Sequence, residues 1–239
     1  MGEPGGRADR EGRLEGAFLD RDRLQPAPAF RSHLLDHLIV ERLPGNSAKI
    51  RLLLDLVEQQ PARVLDVGCG NLSLWAAVRD RPEVLGVDRS LPPPVVDGIE
   101  RRVADARDLP FRDEFDAVVS TQMLDDVREW RDVLRGMRDA LRPSRSLFVT
   151  CDSGDVARPW RARLRRVPRG PRLEELGAAA RELGLEVETL RRYGRRDLKS
   201  VQGDLSGLER LHTLEQEEAQ EPTGDWGLLY LRASRRAAR

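Results

Sequence analysis

The run Arg63-Val64-Leu65-Asp66-Val67 stops abruptly at Gly68-Cys69-Gly70, and that ending constrains the chain more than any other feature. A short apolar run set off by Pro61 before it and Gly68 after it predicts a buried β-strand. The two glycines carry no Cβ, so the backbone can turn tightly at the strand exit and a ligand can approach it closely. Asp66 adds a hydrogen-bond acceptor at the same edge.

The pattern recurs down the chain. Glu83 to Asp88 predicts a second strand, Glu100 to Ala104 a third, Phe115 to Ser120 a fourth and Ser146 to Thr150 a fifth. Leu72 to Arg79 reads as the helix after strand one, whereas Pro92-Pro93-Pro94 bars a full helix directly after strand two. Val127 to Leu141 carries Trp130, Leu134, Met137 and Leu141 at helical spacing and stops before Pro143. A further helix is expected over Arg172–Leu183, then alternating strands over Glu186–Tyr193 and Gly227–Arg232, with an inserted helix near 203–218. Two helices precede strand one. Phe30 to Leu43 has Leu34, Leu35, Leu38 and Ile39 in register, and Asn46 or Ser47 can cap a second helix running to Gln59. Residues 1–16 lack apolar periodicity and read as a disordered tail. Strands alternating with helices imply βαβ units in a parallel sheet, which binds ligands beyond the C-terminal ends of its strands.

Composition narrows the classes further. Formal net charge is zero, which excludes a polycation that binds nucleic acid indiscriminately. The arginine-rich stretch 157–201 is followed by an acidic one, so a solvated basic loop is favoured over an RNA contact. No run approaches a membrane span and the N-terminus lacks the apolar core of a secretory signal, so a cytoplasmic location is expected. Cys69 and Cys151 fall near the ends of strands expected to be neighbours; their spacing leaves a disulfide or metal pair open, but neither shows a CxxC or Cys/His pattern, and no metal is expected.

The chemistry of the Asp66 turn separates two nucleotide classes. A dinucleotide brings a pyrophosphate, which an acid repels, and expects Gly-x-Gly-x-x-Gly, whereas Ser73 stands at the third glycine. S-adenosylmethionine (SAM) brings an ammonium and a sulfonium, which an acid favours. Asp88 ends strand two, where such folds place the acid that bonds the ribose hydroxyls.

From Arg63 to Cys151 the sequence resembles the class I SAM-dependent methyltransferases, within their small-molecule group. Asp66, Gly68 and Gly70 match the family's Asp-x-Gly-x-Gly-x-Gly motif; Leu72 replaces its last glycine, where a side chain is expected to crowd the cofactor unless the loop differs locally. The resemblance implies that Asp88 holds the ribose, that Asp105 accepts from the adenine amino group and that Ala106 adds a backbone donor. Cys69, Arg89, Thr121 and Gln122 complete the expected cofactor contacts. Leu141-Arg142-Pro143 before strand five is also typical, with Ser144-Arg145 in place of the usual glycines. Where many relatives carry a histidine pair, this chain has Asp125-Asp126; these acids either orient an amine or hydroxyl substrate, or, as favoured for Asp126, cap the helix beginning at Val127.

The implied fold is a Rossmann-like α/β domain over residues 60–239, with a mainly parallel seven-stranded sheet, helices on both faces and an antiparallel last strand. Residues 17–59 are expected to form a helical lid, and insertions at 152–171 and 195–224 to complete a substrate pocket. The expected activity is methyl transfer from SAM to an oxygen or nitrogen of a small molecule. His33 and His37, spaced i, i+4 on one helix face, are the candidate general bases. A small-molecule acceptor is the expected partner, without membrane or nucleic acid, and a homodimer stays open. An RNA or protein methyltransferase and a non-catalytic SAM-binding scaffold are the alternatives.

Overall fold

A computed structural model describes residues 37–39, 42–44, 47–154, 170–193 and 227–237. Its elements are α1 (Ser47–Gln59), β1 (Arg63–Val67), a 3-10 turn (Ser73–Ala77), β2 (Glu83–Asp88), β3 (Glu100–Val103), β4 (Phe115–Thr121), a second 3-10 turn (Leu124–Asp126), α2 (Trp130–Ala140), β5 (Leu141–Asp152), α3 (Leu173–Glu182), β6 (Leu185–Tyr193) and β7 (Leu228–Arg235). The strands form one seven-stranded sheet in the order β3-β2-β1-β4-β5-β7-β6. Neighbours from β3 to β5 run parallel, and β7 is antiparallel to both β5 and β6. The expected Rossmann-like architecture is therefore present, antiparallel last strand included.

Alternation along the strands divides the core in two, because successive side chains point to opposite faces. Val64, Ala117, Val119, Phe148 and Tyr230 pack with α1 and Trp75 on one face. Leu65, Val118, Leu147, Val149 and Leu231 pack with α2 and α3 on the other. Strand order reverses between β1 and β4, so the loops leaving these two strands diverge and leave a crevice at their C-terminal ends.

Three expectations change. The helix predicted over Leu72–Arg79 contracts to the 3-10 turn, because Val78 turns extended and bridges Leu38, with Ile39 N–H donating to the Ala77 carbonyl and Arg79 N–H to that of His37. Residues 37–39, inside the helix expected from Phe30 to Leu43, form a turn and this bridge in place of helix. Strand β5 starts at Leu141, five residues before Ser146 and directly after α2. The guanidinium of Arg235 on β7 donates to the Leu141 carbonyl at 2.6 Å and stands beside those of Arg138 and Asp139, holding the helix end where the strand begins.

Helix α1, expected as part of a lid, lays its buried face on the sheet. Its Asp55 is buried and accepts from Tyr230 Oη of β7 and from Arg51 Nη2 at 2.7 Å, with Arg232 at 3.7 Å. The tail over 1–16, the helix near 203–218, and residues 155–169 and 195–224 of the two insertions lie outside the described residues. No described helix is long and apolar enough to cross a membrane.

Removing one donor from a buried carboxylate leaves its desolvation uncompensated. Tyr230→Phe should lower unfolding free energy by about 1–3 kcal/mol in urea titrations, and an unchanged midpoint would show that Asp55 does not join α1 to the sheet.

Candidate functional site

At the reversal point the sheet opens onto a cleft of about 260 Å³. Gly68 from the β1 exit, Asp88 and Arg89 from the β2 exit, Ala104 to Arg107 after β3, and Gln122, Met123 and Asp126 to Glu129 after β4 line it.

The β1 exit is built on close contacts. Gly68 has φ +78°, and a Cβ there would lie 2.6 Å from Met123 Cγ, so only glycine lets the β4 exit fold over the β1 exit. Gly68 and Cys69 donate their N–H groups to the Val87 carbonyl at 2.8 and 3.2 Å, and Gly70 N–H donates to Asp88 Oδ2 at 2.9 Å. Asp88 Oδ1 accepts from Ser90 N–H at 3.1 Å. One carboxylate thus ties two strand exits together at the mouth of the cleft.

Asp66 stands apart from the cleft lining. Its side chain is 2% exposed and turns onto the α1 face, where Oδ2 accepts from Trp75 Nε1 at 2.8 Å and Oδ1 has no hydrogen-bond partner. Burial pushes its carboxyl up to about 7; the Trp75 hydrogen bond opposes this, Asp88 adds to it and Lys49 opposes it. Lys49 on α1 shares this interior, and burial lowers its pKa.

Leu72 does not crowd the cleft. It adopts the left-handed conformation itself, with φ +65°, and sends its side chain inward beneath β2. A Cβ at Gly86 would stand 3.3 Å from Leu72 Cδ2 and 2.8 Å from Cys69 Sγ, so the glycine of β2 makes room for both. Leucine thus occupies a backbone region that glycine enters without a steric cost.

Of the residues expected from sequence, Gly68, Asp88, Arg89, Asp105, Ala106 and Gln122 meet in the cleft. Gly70 reaches it through Asp88, while Cys69 is buried and Thr121 ends β4 beside Thr150 without lining the space. His37 lies in the turn beside the Leu38–Val78 bridge, where its carbonyl accepts from Arg79 N–H, and outside the cleft lining. His33 lies outside the described residues.

Asp126 does not cap a helix at Val127. It closes the 3-10 turn and lines the cleft, and α2 begins only at Trp130, behind an N-cap Glu129 without a side-chain capping bond. Its neighbour Asp125 is buried, accepts from Asp152 N–H at 3.2 Å, and has its pKa raised by burial and by the Asp152 carboxylate.

Met123, Arg107, Arg128 and Glu129 are cleft residues the sequence reading passed over. Arg107 had a local signal, two positions after an acid in a loop; Glu129 had none, since only the fold brings α2 to the cleft.

Cys69 and Cys151 are free and buried, with β4 between their strands. Burial pushes the Cys69 thiol up to about 12 and the Cys151 thiol above its ordinary range, so neither is a nucleophile at neutral pH. Among the described residues no group of three or more potential ligands could hold a metal.

The folded Asp66 holds its proton up to about 7, whereas an unfolded aspartate releases it near 3.9. Between these values the folded state binds more protons, so this group's contribution to stability falls as pH rises from about 4 to about 7. Asp66→Asn, which keeps an acceptor for Trp75, should remove that part of the decline; identical pH slopes in chemical denaturation would show that Asp66 titrates normally.

Residues 39–190 match the methyltransferase domain family. No curated protein matches the sequence. Among solved structures, phosphoethanolamine N-methyltransferase 2 of Haemonchus contortus, in complex with SAM, superposes with a TM-score of 0.58 at 17% identity, covering 79% of this chain and 53% of that one. Geranyl diphosphate methyltransferase in complex with SAM gives 0.54 at 16% identity, over 78% and 85%. The [4+2]-cyclase SpnF gives 0.56 at 18% identity, over 80% and 81%. Such likeness establishes the fold and leaves the reaction to the site. Because the family match runs from Ile39 to Leu190 and takes in every residue that lines the cleft, the chain belongs to the methyltransferase domain family, and its fold is the one seen in the SAM-bound methyltransferases above.

Proposed function

We propose that the cleft holds SAM and that the chain transfers its methyl group to an oxygen or nitrogen of a small-molecule acceptor. The observation that carries this reading is the meeting of Asp88 and Asp105, from the ends of β2 and β3, in one cleft beside Gly68.

The residues fit the cofactor. A dinucleotide pyrophosphate would need a helix N-terminus at the β1 exit, and this chain has a five-residue 3-10 turn there with two acids nearby. The volume of about 260 Å³ is just under the roughly 300 Å³ at which ligand pockets begin, which suits the nucleoside end of the cofactor. Met123 covers Gly68 where the amino-acid end would enter, and the flexibility of an unbranched thioether lets it move aside. Leu72, buried beneath β2, gives no support to a degenerate scaffold.

SAM supplies a methyl group on a sulfonium, poised for in-line displacement. The protein's part is alignment and exclusion of water. Asp88 would accept from the ribose hydroxyls while keeping its bonds to Gly70 and Ser90, and Asp105 would accept from the adenine amino group beside the Ala106 backbone. A general base is required only where the acceptor loses its proton early. His33 and His37 are the sequence candidates, and Asp126 joins them because it lines the cleft. A cytoplasmic setting accords with two buried free thiols.

Calorimetric titration with SAM tests the cofactor, and transfer of labelled methyl to a panel of small amines and hydroxyl compounds tests the reaction. Asp88→Ala should weaken SAM binding roughly ten- to a hundredfold, as expected for losing hydrogen bonds to a charged acceptor. Wild-type protein that binds no SAM would overturn the proposal.

A further inference from the structure

Arg107 takes up the hydrogen-bonding capacity of Asp105. Its backbone N–H donates to Oδ1 at 2.9 Å, its Nε lies 3.0 Å from Oδ1 and 3.2 Å from Oδ2, and its Nη2 donates to Oδ2 at 2.6 Å. A carboxylate offers about four acceptor sites, so an incoming amino group finds them engaged. The other arm of the same guanidinium reaches Glu129 Oε2 at 3.5 Å, ahead of α2. Asp105, Arg107 and Glu129 all line the cleft, one acid on the loop after β3 and the other on the segment after β4. The arginine therefore strings its mouth from one wall to the other.

Resting on the reading of the cleft as a SAM site, we propose that Arg107 is the gate of its nucleoside end, competing with the adenine for Asp105 and releasing that carboxylate only when the base enters. The turn is made for this. Asp108 N–H donates to the Asp105 carbonyl at 3.0 Å, so backbone bonds hold the loop while the guanidinium swings. Both side chains are about half exposed, so their pairing is weak enough to break on each cycle and strong enough to tax binding. The tax falls on any ligand that carries the adenosine end, whatever follows the ribose.

Adenosine and S-adenosylhomocysteine, titrated calorimetrically, test the gate. Arg107→Ala should bind both roughly two- to fivefold tighter, by a common factor, that being the range an exposed ion pair spans. Adenosine is uncharged, so raising salt from about 50 to about 500 mM should tighten its binding to wild type by screening the pair and leave Arg107→Ala unchanged. Asp105→Ala should bind more weakly, and adding Arg107→Ala to it should change nothing, because the arginine then guards no carboxylate. Arg107→Gln, which keeps a polar side chain in the exposed turn, should follow the alanine variant. Adenosine bound by wild type as tightly as by Arg107→Ala, or more tightly, overturns the gate and leaves the cofactor reading standing. Wild type that binds neither ligand overturns both.

Discussion

A hydrogen bond of 2.9 Å from the Gly70 amide to Asp88 joins the exits of β1 and β2, and the geometry of the cleft hangs on that joint. Parallel strands fix their exits only to within the register of the sheet; the loops beyond are free unless something ties them. Here Gly68 and Cys69 add two bonds to the Val87 carbonyl, and Met123 closes over Gly68 from β4 at a distance no Cβ would allow. Three strand ends are thus drawn to one point. The acid that would receive a ribose is also the acid that shapes the turn beneath it.

The frame was legible because periodicity and punctuation agree. Strands β1 and β2 follow their apolar runs to the residue, and Pro61 and Gly68 mark both ends of the first. What escaped was decided by contacts between distant segments. No local signal in Leu72–Arg79 says that Val78 will bridge Leu38, yet that pairing turns an expected helix into five residues of 3-10 turn. Nor does Pro143 reveal that Arg235, nearly a hundred residues on, will hold the carbonyls that end α2 and begin β5.

The site divides along the same line. Asp88, Asp105 and Gly68 meet in the cleft because each stands at a strand end and the topology carries strand ends to one edge. Asp66 has the same address by sequence, but residue parity along β1 sends its side chain onto the face covered by α1, where Trp75 receives it. Its role is then to hold the 3-10 turn against the sheet, and Trp75 is the partner that spacing alone could not name. Leu72 shows the converse. A leucine holds a left-handed conformation that favours glycine, because Gly86 leaves a hollow that rewards burial of the leucine side chain against the cost of its positive φ.

Charge in the cleft follows a pattern that no single residue shows. Asp88, Asp105, Asp126 and Glu129 face Arg89, Arg107 and Arg128, so the lining carries one more negative group than positive. A dinucleotide would add charge of the sign already in excess. SAM, whose ammonium and sulfonium outnumber its carboxylate by one, brings the opposite charge. The interleaving has a second consequence. Asp105 is already satisfied by Arg107 before any ligand arrives, so binding there becomes an exchange of partners in place of a rescue of an unpaired carboxylate. An exchange costs less to reverse than a rescue, and a transferase has to release its spent cofactor after every turnover.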